Sequence, residues 1–257
     1  MARSYRYNIM QLNTPETFVG VRGGLRGDIR DVYFVRALGC VADYASRIEA
    51  IDRRMDSETA AGRTQYIRKK GLPSIKNATN DLKRWADLYD SWKTDAGIPL
   101  FNTVSDSKSF EDCAKEALVH VTELFRSSTA NCSDSMVRNY AAKLLFWTSE
   151  TVSKKNIGSW NERANIKIIL EDINKEQEYL FCYFLTRIGA DVMILLPVSD
   201  LEFDRQLKDL SALLRLDVLR LRGPSLVLRF TRCASAGRVP CLASRSRAVG
   251  CTSCGLL

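Results

Sequence analysis

Apolar residues recur along most of this chain at intervals of three and four, the spacing that lays one stripe along a helix. Val32, Val35, Leu38, Ala42, Ala45 and Ile48 keep that interval and predict a helix from about Ile29 to Arg54, with Asp28 and Asp31 at the positive end of its dipole. Leu82, Trp85, Leu88, Tyr89 and Trp92 predict a second helix over Asn80–Trp92. Trp85, Tyr89 and Trp92 share one face at core spacing, which favours packing over base stacking. Phe110, Cys113, Ala117, Val121 and Leu124 predict a third helix over Ser109–Phe125, opened by a capping box of Ser109 and Asp112. Val137, Tyr140, Ala141, Leu144 and Leu145 predict a fourth over Asp134–Trp147.

At Ile166 the pattern changes. Ile166-Lys-Ile-Ile-Leu170 predicts a strand, Glu171–Ile188 a helix stopped by Gly189, and Ala190–Leu196 a second strand closed by Pro197. Strand, helix, glycine and strand in so few residues is the grammar of a parallel βαβ unit. Strands without polar alternation are expected to be covered on both faces. The fold class is therefore α/β and helix-rich, with one recognisable βαβ unit over about residues 166–197 of a small parallel sheet. The expected organisation is a helix-rich region over residues 1–130, a helix with the βαβ unit packed on it over 131–212, and a disordered tail over 213–257.

Charge alters the picture of that tail. The 257 residues carry a net +8, but residues 213–257 hold eight arginines against one acid, so +7 lies there and +1 is left for 1–212. Bulk charge gives the body no nucleic-acid face, and nucleic acid is not the expected partner. The tail also lacks Lys, Glu, Asn, Gln, Ile, Met, Tyr, Trp and His, yet holds Cys233, Cys241, Cys251 and Cys254. Three readings stay open. It is a disordered basic arm for an anionic partner, a zinc site whose Cys233–Cys241 spacing is wide for one, or the product of a reading frame lost near Leu214. The abrupt change of vocabulary favours the last, which implies a longer natural protein. The scattered Cys40, Cys113, Cys132 and Cys182 are expected to be small buried residues.

Two places offer chemistry. Glycines in Val21-Arg-Gly-Gly-Leu-Arg-Gly-Asp28 free backbone N–H groups to face an anion, and Arg22 and Arg26 supply charge. Arg22, Gly23, Gly24, Arg26 and Gly27 are thus a candidate anion site, helped by the helix expected to follow. The loop lacks the Lys-Ser/Thr of a P-loop and the spacing of a dinucleotide fingerprint, and Asp28 opposes an anion. The competing reading is a tight turn. Ligands of parallel sheets bind beyond the carboxyl ends of the strands, which makes Glu171, Asp172, Ser199 and Asp200 candidates by position. Thr103–Lys108 offers hydroxyls and charge, but serves first as a helix cap. His120 is the one histidine, which excludes multi-histidine metal motifs and leaves a Ser–His–acid triad no second choice. No metal is expected, no cofactor is specified, no catalytic residue stands out, and whether the chain is an enzyme stays open.

The N-terminus interrupts any apolar run with charge, and the most apolar stretch, Tyr179–Leu185, is far too short to span a bilayer. A cytoplasmic protein with no membrane partner is expected.

Asn13-Thr-Pro-Glu-Thr17, Val21–Asp28, Asp31-Val-Tyr-Phe-Val-Arg-Ala-Leu38, Gly97-Ile-Pro-Leu-Phe-Asn-Thr103 and Glu176-Gln-Glu-Tyr-Leu-Phe-Cys-Tyr-Phe-Leu185 give residues 5–212 a texture that resembles the bacterial YceG-like family. That family is described as a component of a "biosynthetic module" near tellurium-resistance genes of the TerD type. The resemblance implies a part in tellurite or general chemical-stress response, alongside other proteins of the same gene cluster. It carries no catalytic signature onto these residues. An enzyme acting on a nucleotide or sugar phosphate held at Arg22–Asp28 is the alternative, with a phosphorylated small molecule as its partner. A nucleic-acid-binding regulator is the third.

Overall fold

Val32-Tyr33-Phe34-Val35 is a run of β-branched and aromatic residues, and such residues suit a pleated, covered surface better than a helix. In the structure, a computed structural model that describes residues 5–152, 154, 160 and 164–216, this run ends one strand at Val32 and opens the next at Phe34, with Tyr33 the junction between them. The expected helix over Ile29–Arg54 is therefore corrected. β1 (Arg6–Ile9) lies parallel to β3 (Ile29–Val32), and β2 (Gly24–Arg26) pairs antiparallel to β3, giving a three-stranded sheet of order β1-β3-β2. Gly27, at φ +64°, makes the turn between β2 and β3 in a conformation that side chains disfavour. Beyond Tyr33 the same extended segment becomes β4 (Phe34–Leu38) and ends at Gly39, at φ +110°. After the short turn α1 (Thr17–Gly20), the first long helix is α2 (Tyr44–Ala60), whose buried stripe is Ile48, Ile51 and Met55.

β4 is next to the edge of a five-stranded, wholly parallel sheet. With β5 (Gln65–Lys70), β6 (Ile166–Glu171), β7 (Ala190–Leu196) and β8 (Ala212–Arg215), its order is β5-β6-β7-β4-β8. The basic stretch before Gly71 is thus an edge strand, its last three residues exposed. Charged side chains there discourage pairing with another chain. Residues 213–216, placed by composition with the tail, belong to the body: Leu213–Arg215 pair with β4, and Leu216 N donates to Leu38 O at 2.8 Å. The remaining tail readings, including the cysteine site, lie outside the described residues.

The βαβ expectation holds, with β6, α6 (Glu176–Arg187), Gly189 at φ +93° and β7 in parallel register, Ile166 opposite Ala190. Both faces of these strands are covered. Ile168, Leu170, Val192 and Ile194 join a core with α3 (Thr79–Thr94), α4 (Lys108–Ser128), α5 (Asp134–Thr151) and α6. Val35, Ala37, Ile169, Met193 and Leu195 join another with α1 and α2. The split has a topological cause. From β4 the chain crosses to the far edge at β5 through α2, then steps back through β6 and β7. Right-handed crossovers in opposite directions must run over opposite faces. A single short helix, α7 (Arg205–Lys208), separates β7 from β8.

Local signals explain the helix ends. Ser107, not Ser109, caps α4, accepting from Phe110 N at 3.3 Å, and Ser133 caps α5 through Met136 N. Glu111 turns back instead to take Leu100 N at 2.6 Å and Phe101 N at 2.9 Å. Of the four described cysteines only Cys182 is buried; Cys40 is exposed and Cys113 and Cys132 are intermediate, which corrects the expectation of four core residues.

Glu16 fastens α1 to α2 through a forked pair with Arg47, at 2.6 and 3.0 Å. The Arg47 hydrogen bonds hold its carboxyl down at about 2. Its folded value lies below its unfolded one, so its stabilisation is present above the unfolded value and lost as pH falls toward 2. Glu16→Gln is expected to cost about 1 kcal/mol at pH 7, the modest worth of a partly solvated pair. That difference from wild type should shrink steadily from pH 4.5 to pH 2.5, as followed by urea unfolding midpoints.

Candidate functional site

Two charged residues interrupt the apolar strands, Lys167 in β6 and Asp191 in β7, and the parallel register sets them opposite one another. Lys167 Nζ lies 2.7 Å from Asp191 Oδ2, with side chains 0% and 5% exposed. Buried charges persist only when paired and hydrogen-bonded. Asp191 meets that condition fully: Oδ1 accepts from Tyr33 N at 2.9 Å, and Oδ2 also accepts from Gly23 N at 3.1 Å. Lys167 sits over the rings of Phe18 and Tyr33, 4.7 and 5.5 Å from their centroids. Burial pushes its pKa down against the opposing pull of Asp191, and the Arg22 charge pushes the same way as burial. One carboxylate therefore ties together β7, the β3–β4 junction and the loop before β2.

That loop and the small sheet roof a cavity of about 320 Å³, at the ends where β6 and β7 begin. Arg22, Gly23, Gly24, Arg30, Asn165 and Asp191 are among its walls. Gly23 has no room for a side chain: a Cβ would stand 2.5 Å from Asp31 O and 2.8 Å from Asp191 Oδ1. Arg30 is 3% exposed. Its Cζ lies 4.9 Å from the Tyr5 ring centroid and its Nη1 3.8 Å from Cys113 Sγ, but Nη2 has no hydrogen-bond partner. Gly189 leaves the space that Nη1 occupies, since a Cβ there would come within 2.8 Å of it. Across the cavity wall Asn165 donates from Nδ2 to Arg63 O at 3.2 Å, while its buried Oδ1 accepts nothing. Arg30, which holds a buried unpaired donor, and Asn165, which holds a buried unpaired acceptor, thus line one polar cavity, and such groups invite a ligand.

Three of the five anion-site candidates, Arg22, Gly23 and Gly24, line this cavity. Arg26 instead grips Asp31 at 2.7 and 2.9 Å, and Gly27 serves the hairpin turn. The loop feeds a strand, so the helix dipole expected behind it is absent there. Asp28 pairs with Arg6 at 2.9 Å and does not line the cavity.

The carboxyl-edge candidates are not brought together. Glu171 is taken by Arg68, which also holds Asp52. Asp200 accepts from Arg36 and from Leu201 N at 2.9 Å, and Arg36 reaches on to Ser211 Oγ at 2.8 Å. Asp172, at φ +54°, and Ser199 are exposed loop residues. A wider hollow of about 550 Å³ lies beside the Asn102–Lys108 loop, but its Glu111 and Lys115 are spent on backbone groups and on each other. His120 touches Tyr183, 3.4 Å from its hydroxyl, and burial lowers its pKa; it lies outside the cavity. Among the described residues no cluster of three or more histidine, cysteine or acidic side chains is arranged for a metal ion. No described helix is long and apolar enough to cross a membrane.

Sequence reasoning missed Arg30, Asn165, Lys167 and Asp191. A signal for the last two was present, since a lone charge inside an apolar strand implies a buried partner. Arg30 was hidden by assigning its segment to a helix.

Fold and site together define a layered α/β protein with an arginine-lined polar cavity at the amino ends of its parallel strands. A profile of the YceG domain matches residues 29–212, and the chain belongs to that family. No curated protein and no solved structure matches it.

Proposed function

We propose that this chain binds a small anionic metabolite, bearing phosphate or carboxylate, in the Arg22–Arg30 cavity. The observation that carries the reading is the Arg30 guanidinium, 97% buried with Nη2 unpaired beside a second arginine. A buried cation without a counter-charge is costly, and an anion entering the cavity removes that cost. The wider setting rests on family membership: a cytoplasmic component of a bacterial biosynthetic or stress-response system, linked to tellurite or chemical stress and working with proteins of the same gene cluster. Whether the bound anion is turned over or only held is a separate matter, as among the described lining residues there is no nucleophile paired with a base.

Inorganic phosphate is expected to raise the melting temperature of the wild-type chain progressively with concentration, as a ligand of the native state does. Arg30→Met removes the charge and keeps most of the volume. It is expected to fold at least as stably as wild type without phosphate and to lose the phosphate-dependent rise. A variant that folds and still responds to phosphate would overturn the reading.

A further inference from the structure

The cavity is larger than a phosphate group needs, and its walls have a second polar pole. About 320 Å³ lies at the small end of the range for metabolite sites and corresponds to roughly ten water molecules' share of liquid volume. Arg30 Nη2 lacks an acceptor, while Asn165 Oδ1 lacks a donor. One ligand that satisfies both must present an anionic oxygen and an O–H or N–H. The remaining lining discriminates further. Among the described residues the walls include no aromatic ring on which a base would stack. Asp31 and Asp191 also line the cavity, each already paired, with Arg26 and with Lys167. Among the described lining residues Arg22 and Arg30 are the cations, and a second anionic group has none left to meet.

We infer that the ligand is a hydroxylated phosphomonoester, a sugar or polyol carrying a single phosphate, with its phosphate at Arg30 and Arg22 and a hydroxyl donating to Asn165 Oδ1. This inference rests on the anion-binding reading above and adds to it the body of the ligand. A nucleotide is disfavoured for want of a stacking wall, and a polyphosphate for its extra charge.

Isothermal titration of the wild-type chain with methyl phosphate, ribose 5-phosphate, adenosine 5′-monophosphate and adenosine 5′-triphosphate tests it. Ribose 5-phosphate is expected to bind about tenfold tighter than methyl phosphate, the gain of one well-made buried hydrogen bond. Adenosine 5′-monophosphate should bind no tighter than ribose 5-phosphate, and the triphosphate more weakly. Asn165→Ala should bring ribose 5-phosphate to the affinity of methyl phosphate while leaving methyl phosphate unchanged, which also shows that the variant is folded. Equal wild-type affinity for methyl phosphate and ribose 5-phosphate would overturn the hydroxylated body and spare the anion site. Tightest binding by either adenine nucleotide would overturn it in favour of a nucleotide. Failure of every phosphate to bind would sink the anion reading itself, and this inference with it. The wild-type series decides these points even if Asn165→Ala fails to fold.

Discussion

Asp191→Ala is expected to lose about 3–5 kcal/mol of stability, the cost of stranding a buried charge. Lys167 would keep its place over Phe18 and Tyr33 without its counter-ion, and Tyr33 N and Gly23 N would each lose an acceptor. The pH dependence has a definite sign. Burial already puts the folded pKa of Lys167 below its unfolded value. Over that interval the unfolded chain binds more protons, so stability rises with pH. Without Asp191 the folded value falls further. The deficit of Asp191→Ala should therefore shrink as pH rises from 7 toward 10, when urea midpoints of variant and wild type are compared. The double variant Lys167→Met with Asp191→Leu should recover much of the loss, because an apolar pair of similar volume often replaces a buried ion pair at little cost. A single-variant deficit under 1 kcal/mol, or one that grows with pH, would show that the pair is not the linchpin described.

Phe184→Ala is expected to cost about 3–5 kcal/mol, through lost transfer energy and the cavity left behind. Phe184 is 0% exposed on α6 and stacks on Phe101 and Phe181, with ring centroids 6.0 and 6.3 Å away. It thereby joins the 97–104 loop to the helix that covers β6 and β7. Val198→Ser supplies the contrast. Val198 is 81% exposed, and its change should stay within about 0.5 kcal/mol. Chemical denaturation of the two side by side checks both expectations.

How much of this was legible in the sequence follows from what each segment buries. The βαβ unit announced itself because an apolar run, a polar helix start and a glycine stop each pointed the same way. Helices α3 and α4 were visible because each buries one face and wets the other, and α5 because its first turns keep the same stripe before the helix is buried nearly all round. Ile29–Leu38 was misread because it carries two strands of different sheets in succession, β3 alternating between half-buried and buried and β4 buried on both faces through Ala37. There the i, i+3 spacing of Val32, Val35 and Leu38 arose by accident across the junction. β5 was missed for the opposite reason, since edge exposure lets Arg68, Lys69 and Lys70 replace the apolar residues that mark a strand. Half of the candidate site was visible as a glycine-and-arginine loop. The other half comes from β3, from the residues just before β6 and β7, and from Asp191, and no local pattern says that these meet the loop. The rule that ligands lie beyond the carboxyl ends of parallel strands directed attention to Glu171 and Asp200, whose arginine partners hold the sheet's far edge together.

The Gly23–Asp191 hydrogen bond spans 168 positions of chain, and Tyr33–Asp191 spans 158. Closing loops of that length precedes any reward from the contacts they bring, so such pairings come late in folding. The cavity walls therefore come into being only when β7 has taken its place beside β4. A nascent or partly opened chain has no site. A ligand that fits it would protect amides across the whole parallel sheet from hydrogen exchange, as a clamp on the completed molecule.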